Sequence, residues 1–126
     1  MTRNAVGWFE IYVDDMPRAK QFYENVLGIS LSNLEAPEGA PVEMLAFPMD
    51  PDAPGAGGAL VKMDGVSPGG GGVMIYFSCE DCGVEAQRIP DAGGKIEKDK
   101  ESIEPYGFMA IGRDPEGNVF GLHSMR

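Results

Sequence analysis

The stretch Trp8–Gly28, WFEIYVDDMPRAKQFYENVLG, constrains this chain most, because its hydrophobic period changes abruptly half-way along. Phe9, Ile11 and Val13 alternate with Trp8, Glu10 and Tyr12, the period of two that marks a half-buried strand. After Asp14-Asp15-Met16-Pro17 the period becomes helical, with apolar groups at Ala19, Phe22, Tyr23, Val26 and Leu27. Asp15 is placed to cap the helix, Pro17 suits its first turn, and Gly28 can supply a left-handed stop.

The same order recurs 66 positions later (81 − 15), where Asp15 falls on Asp81, Gly28 on Gly94, Trp8 on Met74 and Glu10 on Tyr76. Residue identity is thin. The succession of strand, acidic turn, helix and glycine is kept, and each copy leads on to an aspartate-proline turn, Asp50-Pro51 and Asp114-Pro115. A duplicated βα unit with trailing strands is the architecture this implies.

The first copy is expected to hold strands at 6–13, 29–34, 42–48 and 59–63, with a helix at 16–26 and a Pro- and Gly-rich loop at 49–58. Ser67-Pro68 and the four glycines Gly69–Gly72 form a flexible linker. No Lys-Ser or Lys-Thr follows, which argues against a phosphate-cradling loop. The second copy is expected to hold strands at 73–79 and 95–98, and a helix at 81–92 disturbed by Pro90. A charged loop at 99–105 and a hairpin, 106–113 with 119–124, complete it. Met1–Asn4 reads as a loose end.

The quoted pieces FEIYVDDMPRAKQFYENVLGI, GGALVK, MIYFSCED and YGFMAIGRDPEGNVFGLHS resemble the glyoxalase / bleomycin-resistance / extradiol-dioxygenase superfamily, the vicinal oxygen chelate proteins. The resemblance runs over nearly the whole chain and leans toward small members related to lactoylglutathione lyase. It implies an α+β fold of tandem βαβββ modules, about 5–66 and 72–126, joined by the linker 67–72. The modules would form a curved mixed sheet with helices on the outer face and a small-molecule cavity on the other.

Helices must cover one face of such a sheet. The aliphatic sets are the candidates: Phe9, Ile11 and Val13; Val73, Ile75 and Phe77; Phe120 and Leu122. The opposite face then carries Trp8, Glu10, Tyr12, Met74, Tyr76, Val119, Gly121 and His123, bulky rings beside a few polar groups, a lining that suits a small ligand. Trp8, Tyr12, Met74, Tyr76 and Gly121 are the candidate ligand-binding residues.

In the family's metal-dependent enzymes four strand positions on this face supply ligands. Carried over, they fall on Trp8, on Ala59 or Val61, on Met74 and on Gly121. None suits a hard or borderline divalent ion. The expectation is therefore no metal cofactor. Glu10 and His123 lie one inward-facing step from two of the lost positions. They are candidate catalytic residues as a metal-free acid/base pair, or the start of a shifted metal site. The structural alternative is that Glu10 hydrogen-bonds across the sheet and His123 sits near an exposed terminus. Two classes follow: a binder that sequesters a planar compound, or a metal-independent enzyme. A metal-dependent lyase, isomerase or dioxygenase of the glyoxalase type, shifted onto Glu10 and His123, is the alternative.

Cys79 and Cys82 form C-x-x-C, but Glu80 and Asp81 between them disfavour thiolate, so two reduced structural cysteines are expected. The net charge of −10 repels nucleic acid and anionic lipid heads, so neither is an expected partner. No apolar run reaches the roughly 18 residues that span a bilayer. The start MTRNAVGW lacks a signal peptide's apolar core, which makes the cytoplasm the default. The resemblance implies a homodimer.

Overall fold

A computed structural model describes residues 3–126; part of the expected loose end, Met1 and Thr2, lies outside them. Among the described residues eight strands and two helices follow the order βαβββ twice. The chain divides into two compact units, Trp8–Val73, and Met74–Arg126 together with residues 3–7.

In the first unit β1 (Val6–Tyr12), β2 (Ser32–Leu34), β3 (Val42–Ala46) and β4 (Gly57–Met63) lie in the order β2-β3-β4-β1. β1 pairs with β4 in parallel, and β3 is antiparallel to both β2 and β4. In the second, β5 (Val73–Ser78), β6 (Lys95–Ser102), β7 (Phe108–Arg113) and β8 (Val119–Ser124) lie in the order β5-β8-β7-β6. Here β5 pairs with β8 in parallel and the other two ladders are antiparallel. Each unit therefore places its strands in one sequence, second-third-fourth-first, and the duplication read from the acidic turns is a duplication of topology. Among the described residues no helix is long and apolar enough to cross a membrane.

Helix α1 (Met16–Leu27) begins as its sequence dictates. Asp15 is extended and its carboxylate accepts the Arg18 N–H at 3.0 Å, while Gly28 closes the helix at φ 66°. Helix α2 (Cys82–Arg88) is capped by the equivalent aspartate, with the Asp81 carboxylate accepting from Gly83 N–H at 2.9 Å and from Lys100 Nζ at 2.8 Å. The Lys100 ammonium, then the Gly83 amide, hold the Asp81 carboxyl below the usual carboxylate range.

The core of the first unit is Val13, Met16, Leu31, Leu45, Phe47 and Leu60, with Phe9, Ile11, Ala19 and Tyr23 packed against it. Phe9, Ile11 and Val13 thus lie beneath α1, as their period required. In the second unit Phe77, Phe120 and Leu122 join Cys82, Ala86, Ile89 and Ala110 beneath α2. Val73 and Ile75 do not. They are 62% and 37% exposed, because α2 is only seven residues long and lies against β6, β7 and β8.

Other boundaries differ for identifiable reasons. The strand expected from Ile29 starts at Ser32, because Ile29 and Leu31 are tied back to the helix: Ile29 N–H donates to the Glu24 carbonyl and Leu31 N–H to the Glu24 carboxylate at 2.8 Å. Helix α2 stops at Arg88 rather than near Ala92, where Pro90 leads a run of turns. The second glycine stop is shared. Gly93 takes the positive φ, 98°, and a Cβ on Gly94 would lie 2.6 Å from the Arg113 carbonyl oxygen.

The charged loop expected at 99–105 is strand as far as Ser102. This is a sheet edge, and edges carry charge and irregularity that a central strand does not tolerate. Its register against β7 shifts twice, and Lys100 stands 4.7 Å from the centre of the Phe108 ring. The linker is also hydrogen-bonded: Gly72 N–H donates to Gly69 C=O, and Gly72 C=O accepts from Tyr12 N–H at 2.7 Å.

Candidate functional site

The parallel ladder between β1 and β4 decides which side chains share a face. Trp8 stands opposite Gly57, Glu10 opposite Ala59, and Tyr12 opposite Val61. Paired residues in a sheet project to the same side, so this face has a floor of small groups, with Ala59 wholly buried and Val61 3% exposed. A Cβ on Gly57 would meet both Met49 Sδ, at 3.1 Å, and the Trp8 ring, at 3.4 Å. Met49 and Trp8 therefore share the space that glycine leaves. No periodicity could point to Met49, which lies in a loop.

Glu10 stands between the two rings of its own strand. One carboxylate oxygen accepts the Trp8 indole N–H at 3.2 Å and the other accepts the Tyr12 hydroxyl at 2.6 Å. A hydroxyl donating to an ionised carboxylate at that distance is among the stronger protein hydrogen bonds. The sheet geometry alone would let both rings rotate about their side-chain torsions. The shared carboxylate restricts them and holds two aromatic groups in one row.

In the second unit, β5 and β8 set Tyr76 opposite Gly121 and Ser78 opposite His123. A Cβ at position 121 would sit within the Tyr76 ring, so glycine there is what lets that ring lie flat against β8. Met74 is buried. His123 is half-buried, and its Nε2 is bonded to the Tyr106 carbonyl. A carbonyl can only accept, so Nε2 is the donor in this bond. Glu10 belongs to the first unit and His123 to the second.

The strand positions weighed above as ligand candidates carry Trp8, Met74 and Gly121, and the ladder puts Gly57, Ala59 and Val61 on the same face as Trp8, Glu10 and Tyr12. None offers a carboxylate, imidazole or thiolate to a divalent ion. Among the described residues no group of three or more His, Cys, Asp or Glu is arranged around a common point.

Cys79 and Cys82 are free thiols. Burial, and then the Glu85 carboxylate and Cys82 beside it, push the Cys79 thiol up from 9.0 to about 11. At pH 8 this leaves roughly 0.1% thiolate, against about 9% for the unshifted group. We expect iodoacetamide at pH 8 to label Cys79 about 100-fold more slowly than glutathione, measured by intact mass. Labelling at the glutathione rate would contradict the assignment. Because the folded value is raised, the stability this thiol contributes is complete below pH 9 and is lost as pH rises through about 11.

The model of the Glyoxalase/Bleomycin resistance protein/Dioxygenase superfamily matches residues 5–122. The chain belongs to this superfamily. Among curated proteins it is 29% identical over 118 residues to "Putative glyoxylase CFP32" of Mycobacterium tuberculosis, covering 91% of this chain and 42% of that protein. It is also 29% identical over 124 residues to the anthracycline biosynthesis protein DauV of Streptomyces sp. strain C5, covering 97% of this chain and 42% of that protein. The chain thus spans about two-fifths of the length of these curated relatives. Among solved structures, methylmalonyl-CoA epimerase from Mycobacterium tuberculosis superposes with a TM-score of 0.71 at 16% identity, covering 100% of this chain and 93% of that one. The hypothetical protein BH1468 from Bacillus halodurans superposes with a TM-score of 0.73 at 14% identity, covering 99% and 96%. These likenesses establish the glyoxalase-type fold of the superfamily member described above.

Proposed function

We propose that this superfamily member binds a planar, polycyclic organic molecule on the Trp8–Glu10–Tyr12 face of its first unit, without a divalent metal ion. The observation that carries the reading is the use of both Glu10 oxygens by the flanking rings. A carboxylate so engaged orients aromatic surface rather than standing ready to take a substrate proton. Two pre-oriented rings with a buried floor lose little conformational freedom on stacking against a flat ligand, and that saving becomes affinity. The likeness to an anthracycline biosynthesis protein supports a fused-ring ligand. The donor-poor residues at the family's ligand positions support a metal-free site.

Tyr12, Met49 and Trp8 supply contact, and Glu10 is a positioning residue. In the second unit, described by itself, Tyr76 and Met74 share a face, with Gly121 the seat of the Tyr76 ring. The proposal carries the expected homodimer with it, and a monomeric mass by light scattering at micromolar concentration would count against that part.

Glu10 variants separate this reading from a metal-free acid/base enzyme using Glu10 and His123. Under the binding proposal Glu10→Ala weakens daunorubicin binding about tenfold and lowers the fluorescence anisotropy of Trp8, the chain's single tryptophan. Glu10→Gln, which retains one acceptor oxygen, gives an intermediate loss. An acid/base role predicts instead that Glu10→Gln leaves binding unchanged and removes turnover.

A further inference from the structure

A concavity in the first unit, of about 470 Å³, opens where β1 runs into α1. That volume falls in the range of small-molecule sites. Its apolar wall includes Ile11, Ala19, Phe22 and Val73. Phe22 and Val73 are 57% and 62% exposed, a large apolar area to leave in water. The wall is rigid on the helix side, since Phe22 packs edge-on to Tyr23 at 5.0 Å and Tyr23 packs edge-on to the buried Phe47 at 5.9 Å. The far side is formed by the linker residues Pro68, Gly69 and Gly72, of which the two glycines bring no side chain.

Three charged residues line this space, Asp14, Asp15 and Arg18. The Asp14 carboxylate and the Arg18 guanidinium both line it, and neither has an ion-pair or hydrogen-bond partner for its side chain among the described residues. Asp15, between them, is committed to capping α1. Charge decides what such a site selects. A simple anion approaching Arg18 is opposed by a net protein charge of −10. A simple cation finds carboxylates anywhere on this surface and gains nothing special here. A ligand bearing both charges satisfies both groups and adds no net charge.

The geometry points to a binding site for a zwitterion with an apolar side chain, the chemistry of an aromatic α-amino acid. The ligand carboxylate meets Arg18, its ammonium meets Asp14, and its ring lies against Phe22 and Val73. This site uses the helix-facing residues Ile11 and Val13 and meets the Trp8–Glu10–Tyr12 row at Tyr12 alone.

The test is amide NMR of the full chain titrated with L-phenylalanine, with 2-phenylethylamine (no carboxylate) and with 3-phenylpropanoate (no ammonium). Phenylalanine is expected to shift the amides of Gly69, Gly71 and Gly72 and to saturate with a Kd below about 1 mM. Each single-charge analogue, and each of the variants Arg18→Gln, Asp14→Asn and Phe22→Ala, should weaken this at least about tenfold. All three substitutions are at exposed positions, and a dispersed spectrum verifies their fold. The proposal is overturned if phenylalanine does not saturate, if the three ligands bind alike, or if Arg18→Gln and Asp14→Asn bind as the parent does. Fused-ring binding is read separately by calorimetry, so failure of one site is distinguishable from failure of the other.

Discussion

Replacing Trp8 by alanine weakens binding of the fused-ring ligand about 30-fold or more, measured by calorimetry because the variant has no indole to report. The magnitude follows from what the ring does. A well-placed aromatic anchor at a binding site costs roughly 2 kcal/mol or more on truncation, and each 1.4 kcal/mol is tenfold in Kd. Trp8 has three supports that make it such an anchor: the Glu10 carboxylate on its N–H, Gly57 opposite it, and Met49 alongside. Trp8→Phe retains a ring but loses the N–H donor, so it should fall between parent and alanine. The fold is expected to survive both, since the core of the unit lies on the other side of the strand. An alanine variant that binds with the parent's Kd would remove Trp8 from the site.

The largest stability effect is expected at Leu60. Its side chain is fully buried, among the core that α1 closes over. Leu60→Ala removes its methyl groups from that packing and leaves a void the surrounding strand cannot fill, a change that costs about 2–5 kcal/mol. Neighbouring Gly58 cannot be enlarged to compensate, because a Cβ there would sit within the Phe9 ring. Denaturant unfolding should show a lower midpoint with little change in slope. A loss below about 1 kcal/mol would place Leu60 outside the load that holds the unit together.

Much of this fold is legible in period and capping. Phe9, Ile11 and Val13 had to be buried together, and Asp15 and Asp81 announce both helices through one stereochemical requirement, an acceptor for open amides. What escaped reading has physical causes. Val73 and Ile75 alternate correctly, yet their burial depends on a helix whose length Pro90 and the turns after it restrict. The strand through Asp99, Lys100 and Glu101 is hidden by charge that only an edge accepts.

The candidate site divides in the same way. The face shared by Trp8, Glu10 and Tyr12 follows from alternation. The bonds that the Glu10 carboxylate accepts along its own strand do not, because they are a matter of side-chain torsions. Gly121 read as a lost ligand position, and its structural reason, the Tyr76 ring lying over it, required the β5–β8 register. Arg18 drew no reading and Phe22 read only as part of the apolar stripe of α1, since nothing local shows that the glycine linker stands across from them.

Calorimetric titration of daunorubicin into EDTA-treated protein, repeated after adding back Mg²⁺, Mn²⁺, Ni²⁺ or Zn²⁺, tests the metal-free aromatic site most directly. The expected result is saturable binding with one Kd, unchanged within about twofold by any of the ions. Binding that appears only once a divalent ion is restored would contradict it.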